Sequence, residues 1–267
     1  MKRIILVFAI LVSVTGYFML GHSRATKPAV PIKSTISLSA MEQKIQTVIN
    51  NNPQVDTSVS LVDLDTGSHL HFGVTDTFEG ASTTKLITAS EYLHDVENGT
   101  ETMSKDLGGE TGSQALELMI VNSDNTAWQL LVSEMGEDQL ASYAQSIGIN
   151  DFDVSDNTLT SDDIALLLQK LYTGQLLNKS DTSLLLSYMK RANDAEYIPP
   201  AIPKGDTVYH KAGLLDDRAH DAAIITDGNH AFVVVVFTNG HGTYNTPNRI
   251  NMLQTIAKAS IAHYLGL

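Results

Sequence analysis

The chain has 267 residues, 43% of them hydrophobic, which is enough to bury one sizeable core and points to a single large domain. Seventeen Lys and Arg stand against 30 Asp and Glu, a formal charge of −13, so nucleic acid would be repelled over most of the surface. The absence of cysteine excludes disulfides, thiolate metal sites and a cysteine nucleophile, and leaves the redox compartment open.

Lys2-Arg3 precede an apolar or small run from Ile4 to Leu20, followed by the more polar His22-Ser23-Arg24-Ala25. This predicts that residues 1–25 are a signal peptide or a signal anchor. The run's length leaves cleavage after Ala25 and membrane anchoring through residues 4–20 both open. Either way the domain is expected outside the cytoplasm: periplasmic, secreted, or on the outer face of a bacterial cytoplasmic membrane. Residues 26–36, basic and proline-containing, are expected to be a linker, with one domain over 37–267.

Residues 39–50 space Met41, Ile45 and Val48-Ile49 for an amphipathic helix, and a strand pair turning at Asp65-Thr66-Gly67 follows. From Ser82 to about Met189 the periodicity is helical. Segments near 82–97, 113–121, 126–135, 137–147, 161–173 and 181–190 form an expected helical lobe over about 81–200. Strand character returns at Asp206–His210, Ala222–Thr226 and Ala231–Thr238, with a hairpin at Asp227-Gly228, and a helix over Pro247–Leu265 closes the chain. The predicted fold class is α/β in the mixed α+β sense: an antiparallel sheet flanked by N- and C-terminal helices, plus an all-helical subdomain.

Three short motifs carry the chemistry. Ser82-Thr83-Thr84-Lys85 follows Gly80-Ala81 where a strand region meets a helix, so Ser82 and Lys85 share one helical face. A lysine can activate that hydroxyl if burial and a second cation lower its pKa from about 10.4 to roughly 7 to 8, a change of roughly 4 kcal/mol. Ser123-Asp124-Asn125 lies between two helices, where a hydroxyl can relay a proton and an amide can grip a carbonyl; a helix cap is its plainer role. Lys211-Ala212-Gly213, ending a strand after His210, supplies the second cation and a glycine against which substrate can lie. The first two patterns each have a decoy, Ser187-Tyr188-Met189-Lys190 inside a helix and Ser155-Asp156-Asn157 in an acidic loop.

Taken together and in order, the motifs resemble the Ser-x-x-Lys, Ser-Asp-Asn and Lys-Thr-Gly set of class A β-lactamases and their penicillin-binding relatives, over roughly residues 40–266. The resemblance implies a β-lactamase/transpeptidase-like fold and a serine hydrolase. Ser82 would be the acylated nucleophile and Lys85 its base or base partner. Ser123 and Lys211 would be the proton relay and electrostatic anchor, with Asn125 binding substrate. The backbone N–H groups of Ser82 and Leu214 would form the oxyanion hole. The implied partner is a small β-lactam or a peptidoglycan peptide; no cofactor and no metal are implied, and a monomer is expected.

Three departures qualify the resemblance. Ala212 stands where the family usually has a hydroxyl, so Arg218 or His220 becomes a candidate for the substrate carboxylate. The interval from Ser82 to Ser123 is short, implying a trimmed lobe and an open cleft. No glutamate occurs between Glu137 and Glu196 to activate the water that frees the acyl-enzyme. In the family that glutamate sits on an omega-shaped loop, and in the stretch from Gly148 to Asn157 that would correspond to it Asp151, Asp153 and Asp156 are the only acidic groups. Three functions therefore remain: β-lactam hydrolysis, a D-alanyl-D-alanine peptidase that holds its penicilloyl adduct, and a non-catalytic envelope module. Two weaker alternatives are a metal site around His69 and His71, which lacks a third ligand in sequence, and a triad of Ser82 with His210, His220 or His241 and an Asp, which lacks a Gly-x-Ser-x-Gly elbow.

Overall fold

The structure is a computed structural model that describes residues 39–266. The export segment expected at 1–25 and the linker expected at 26–36 lie outside the described residues. Among those described, no helix is long and apolar enough to cross a membrane.

Helix α1 (Ala40–Asn50) opens on a capping box between Ser39 and Glu42. Strands β1 (Asp56–Asp63) and β2 (His69–Gly73) form the first hairpin, followed by the two-residue strand β3 (Phe78–Glu79). Helices α2 (Lys85–Asn98), α3 (Gly112–Val121), α4 (Asn125–Met135) and α5 (Glu137–Ser146) come next. Strand β4 (Thr158–Leu159) pairs back onto β3, and α6 (Ser161–Tyr172) and α7 (Lys179–Lys190) complete the helical block. Strands β5 (Thr207–Leu215), β6 (Arg218–Thr226) and β7 (Ala231–Asn239) precede the closing helix α8 (Thr246–Tyr264).

The main sheet is antiparallel throughout, in the order β2-β1-β7-β6-β5. Its central strand, β7, carries the uninterrupted apolar run from Phe232 to Phe237. Phe232, Val234 and Val236 of β7 face the core shared with Met41 and Ile45 of α1 and Leu253 and Ile256 of α8. Val233, Val235 and Phe237 face the opposite core, shared with Leu86, Ile164 and Leu168 of the helical block. Successive strand residues point to opposite faces, and both faces here are covered. β1 shows the same alternation with different chemistry: Val59 and Leu61 join the α1/α8 core, while the Ser58 and Ser60 hydroxyls meet Ser161 Oγ of α6 at 2.7 and 2.6 Å.

Two strands run further than the sequence pattern indicates. β5 continues through Lys211-Ala212-Gly213 to Leu215, and β6 begins at Arg218. Their ladder pairs Leu215 with Arg218 across a tight turn, which outweighs the weak strand propensity of the Gly-Leu-Leu segment. β5 is therefore a sheet edge, and it runs along the turn that carries Ser82.

Candidate active site

Ser82 lies in a 3₁₀ turn, Ala81–Thr84, that runs straight into α2 at Lys85; the sequence pattern placed it on the helix itself. The two threonines of the motif hold the turn. Thr83 Oγ1 donates to the Gly80 carbonyl at 2.6 Å and Thr84 Oγ1 to the Ala81 carbonyl at 3.0 Å. Ala81 adopts a left-handed φ of 48°, a costly conformation for a non-glycine residue. Asn157 Nδ2 also donates to the Ala81 carbonyl, at 3.1 Å, and Gly80 N–H donates to the Asn157 carbonyl at 2.8 Å. The β3–β4 pairing brings that loop to the turn.

Lys85 is buried, and its Nζ donates to Ser82 Oγ at 3.0 Å, to the Ser123 carbonyl at 2.7 Å and to Asn125 Oδ1 at 2.6 Å. Burial pushes its pKa down to about 8, helped by the positive charge of Lys211 and opposed by Asp124 and Asp194. Burial and a second cation are the two causes that the sequence argument required for a lysine able to activate Ser82.

Ser123-Asp124-Asn125 divides its labour. Asp124 is the cap of α4, accepting from Ala127 N–H at 2.8 Å, which leaves the flanking side chains to the site. Ser123 takes a left-handed φ of 58°, turning its carbonyl onto Lys85. Asn125 spends its Oδ1 on Lys85, so its Nδ2 remains a donor for a substrate carbonyl.

Lys211 is fully buried; its Nζ donates to Asp194 Oδ2 at 2.7 Å and to the Ala212 carbonyl at 3.0 Å. Ala212 is buried, packed with the α1/α8 core, and also lines the cleft. Gly213 permits the closest approach of the two chain segments. An added Cβ there would stand 3.0 Å from each of Ala81 Cβ, the Gly80 carbonyl oxygen and the Ser82 nitrogen.

Ser82 sits where two hollows of about 230 Å³ each meet. One is lined by Glu79, Ala81, Lys85, Asn125, Trp128, Gln129, Asn157, Leu214 and Leu215; the other by Ser123, Asn125, Asp194, Tyr197, Ala212 and Leu214. Sequence reasoning missed Asp194, Trp128 and Tyr197 altogether, and met Asn157 only as part of a decoy.

The two carboxylate candidates need correction, and the alternatives set aside in the sequence can be placed. His220 cannot take the substrate carboxylate: it is fully buried, its Nδ1 accepts from Thr238 N–H at 3.1 Å, and its Nε2 bonds to the Glu79 carbonyl at 2.9 Å. Burial pushes its pKa down to about 4, so it is neutral. Arg218 is engaged by Asp217 at 3.2 Å and Glu79 at 3.6 Å and lines neither hollow. Among the described residues no histidine completes a triad at Ser82: His210 pairs with Asp221 at 3.1 Å and His241 with Asp56 at 2.7 Å. Asp153 is spent on its own loop, accepting from Ser155 Oγ at 2.8 Å and Asp156 N–H at 3.0 Å, and all three aspartates are exposed. None of the three lines the hollows. His69 and His71 both contact Asp162 at 3.0 Å, and among the described residues no group of three or more His, Asp or Glu side chains is arranged to hold a metal ion. Ser187 of the first decoy bonds within its helix, to the Leu184 carbonyl at 2.7 Å.

Comparison with known proteins agrees with this geometry. The description of the Beta-lactamase enzyme family matches residues 40–264. β-Lactamase OXY-2 of Klebsiella oxytoca is 24% identical over 258 residues, spanning 83% of this chain and 89% of that protein. The structure of PBP-A superposes with a TM-score of 0.79 at 23% identity, covering 86% of this chain and 97% of that one. A β-lactamase from Burkholderia vietnamiensis gives 0.78 at 19% identity, covering 84% and 96%. At these identities the structural likeness establishes the fold.

Proposed function

The chain belongs to the β-lactamase enzyme family, as a serine hydrolase acting on amides, and from that footing we propose that it opens β-lactam rings through an acyl-Ser82 intermediate that it releases slowly. The observation that carries this reading is Lys85 Nζ, buried, 3.0 Å from Ser82 Oγ and fixed from two other directions by Ser123 and Asn125. With its pKa near 8, roughly one Lys85 in ten is neutral at pH 7 and can take the Ser82 proton.

In the proposed sequence Ser82 Oγ attacks the amide carbonyl as its proton passes to Lys85. The oxyanion is received by the backbone N–H groups of Ser82 and Leu214, worth about 3 kcal/mol for one such donor. The C–N bond then breaks, and the leaving nitrogen takes the proton held by Lys85 through the hydroxyl of Ser123, which lines the same hollow as Ser82. Asn125 Nδ2 holds the acyl carbonyl. Trp128, Leu214 and Leu215 offer the acyl side chain an apolar wall.

Slow release follows from the loop over 148–160. It presents Asn157 to the cleft and no carboxylate of its own, and the two carboxylates that do line the hollows are engaged by cations, Glu79 by Arg218 at 3.6 Å and Asp194 by Lys211 at 2.7 Å, so no free base stands ready for water. A mutant of PBP-A is described as an acyl-enzyme complex with penicillin G, and that protein shares this fold. The same loop favours a second reading, a D-alanyl-D-alanine peptidase for which β-lactams are trapping substrates. An exported domain, as residues 1–25 suggest, would meet either substrate outside the cytoplasm.

The test is to incubate residues 26–267 with a chromogenic β-lactam and follow product and intact mass together, with Ser82→Ala alongside. A Ser82-dependent mass increase that decays over minutes to hours is expected. Fast turnover without an adduct would refute slow release, and neither adduct nor turnover would refute the acyl-serine reading.

A further inference from the structure

Asn157 grips the nucleophile's turn at two points. Its backbone carbonyl accepts from Gly80 N–H at 2.8 Å, and its Nδ2 donates to the Ala81 carbonyl at 3.1 Å. The loop that carries it is pressed onto the turn so closely that a Cβ on Gly80 would collide with Leu159 Cδ2. Both residues of the side-chain contact have left-handed backbone, Ala81 at a φ of 48° and Asn157 at 53°, and such conformations persist only where surrounding bonds hold them. The Ala81 carbonyl has a second donor, Thr84 Oγ1 at 3.0 Å. That carbonyl belongs to the same peptide unit as the Ser82 N–H. A trans peptide is planar with its C=O and N–H pointing in opposite directions, so bonds that fix the one fix the other. With the Ala81 carbonyl drawn to Asn157 and Thr84, the Ser82 N–H is turned away from them. The Ser82 nitrogen lies against Gly213 of β5, next to Leu214, the second proposed oxyanion donor. Only the donor half of the Asn157 amide serves this arrangement: among the described residues its Oδ1 is buried without a hydrogen-bond partner. A carboxylate of the same shape would set an oxygen against the Ala81 carbonyl.

We propose that Asn157 is a positioning residue for acylation: its side-chain N–H, by holding the Ala81 carbonyl, aims the Ser82 N–H at the oxyanion. Asn157 touches no reacting atom in this role. It acts through the Ala81–Ser82 peptide, and its effect falls on the transition state, where charge develops on the carbonyl oxygen, more than on the binding of substrate. This inference rests on the acyl-serine reading above.

Its test compares Asn157→Gly and Asn157→Asp with wild-type protein. Stopped-flow acylation by a chromogenic β-lactam over a range of concentrations separates the dissociation constant of the encounter complex from the acylation rate constant, and intact mass confirms the adduct on Ser82. Glycine keeps the left-handed backbone and the bond to Gly80 N–H and removes only the side chain. Asn157→Gly should lower the acylation rate constant by about 10- to 100-fold and leave the dissociation constant within about twofold. Asn157→Asp keeps the shape and loses the donor, so at pH 8 it should be slower than Asn157→Gly, by about tenfold. Its deficit should shrink as the pH is lowered and the carboxyl takes up a proton that it can donate to the Ala81 carbonyl. Glu79 and Lys85 line the same hollow, and Asp153 and Asp156 share the loop, so each variant is read as a ratio to wild type at the same pH, in which their titration cancels. A residue kept for packing alone would give the opposite ranking, with the isosteric aspartate the milder change. The inference is overturned if Asn157→Gly acylates at the wild-type rate, a result that decides the matter even if Asn157→Asp fails to fold, or if Asn157→Asp outpaces Asn157→Gly at pH 8. Should no β-lactam modify Ser82 in wild-type protein, the acyl-serine reading falls and takes this inference with it; acylation that is equal in all three proteins sinks this inference alone.

Discussion

Gly213 and Ser82 touch through their backbones: a Cβ built on Gly213 would lie 3.0 Å from the Ser82 nitrogen, closer than side-chain carbons normally approach. The edge of the sheet and the nucleophile's turn are thus one surface, and the proposed oxyanion donors, Ser82 N–H and Leu214 N–H, are set by how closely the two segments pack.

Gly213→Ala is therefore expected to push β5 from the turn by a few tenths of an ångström. It should slow acylation of Ser82 by about 10- to 100-fold, since small misplacements at a reacting centre are costly. The overpacking penalty should be about 1 to 3 kcal/mol. Stopped-flow acylation with a chromogenic β-lactam, beside a denaturant melt, separates the effects. Wild-type acylation in the variant would show that this contact does not position the site.

Acylation should rise with pH along a limb centred near pH 8. The active form of Lys85 is the neutral one, and burial beside Lys211 depresses its pKa to about 8. Below that pH Lys85 is protonated and the rate falls tenfold per unit. Lys85→Arg keeps a cation but cannot deprotonate in this range, so it should lose at least about 100-fold and flatten the limb. A limb near pH 6.5 in wild-type protein would point to a histidine and against Lys85.

Asp153 is the acidic residue whose replacement separates a hidden deacylating base from a turn anchor. Its carboxylate is held by Ser155 Oγ and the Asp156 N–H, which keeps its pKa below the usual range. Asp153→Asn should leave the lifetime of the penicilloyl adduct within about twofold while lowering stability slightly through the loosened turn. A tenfold longer adduct lifetime, measured by intact mass, would instead make Asp153 the base that frees the acyl group.

Much of this site was legible before the fold was known, for reasons that are local. A helical turn brings residues three apart onto one face, so Ser82 and Lys85 announce each other. The apolar run of β7 declares a strand buried on both sides. What was not legible depends on partners distant in sequence. Asp194 lies 17 residues before Lys211 in a loop without periodicity, and only the packing of α7 against β5 joins them. His220 read as a candidate because Ala212 lacks the hydroxyl usual in the family, but its ring is covered by Phe78 and Phe237. Asn157 was set aside as a decoy's third residue, because the two-residue β3–β4 ladder that delivers it is too short to leave a pattern.

The helical lobe holds one more titratable group whose behaviour can be measured. Glu91, on α2 two turns from Lys85, is 1% exposed, and neither carboxylate oxygen has a hydrogen-bond partner. Tyr143 Oη of α5 is likewise buried without a partner. Burial, with Asp95 adding repulsion, pushes the Glu91 pKa up to about 7 from an ordinary value of 4.5. Because the folded protein holds this proton more tightly than the unfolded chain, the stabilisation is complete below about pH 4.5. It is lost as pH rises through 7, amounting to roughly 2 to 3 kcal/mol. Glu91→Gln removes the ionisation at nearly constant volume. Its stability relative to wild type should therefore climb from pH 5 to pH 8 by about that amount. Urea melts of both proteins across this range decide it: parallel curves would mean that Glu91 ionises in the fold as it does in water, and that α2 and α5 open far enough to hydrate it.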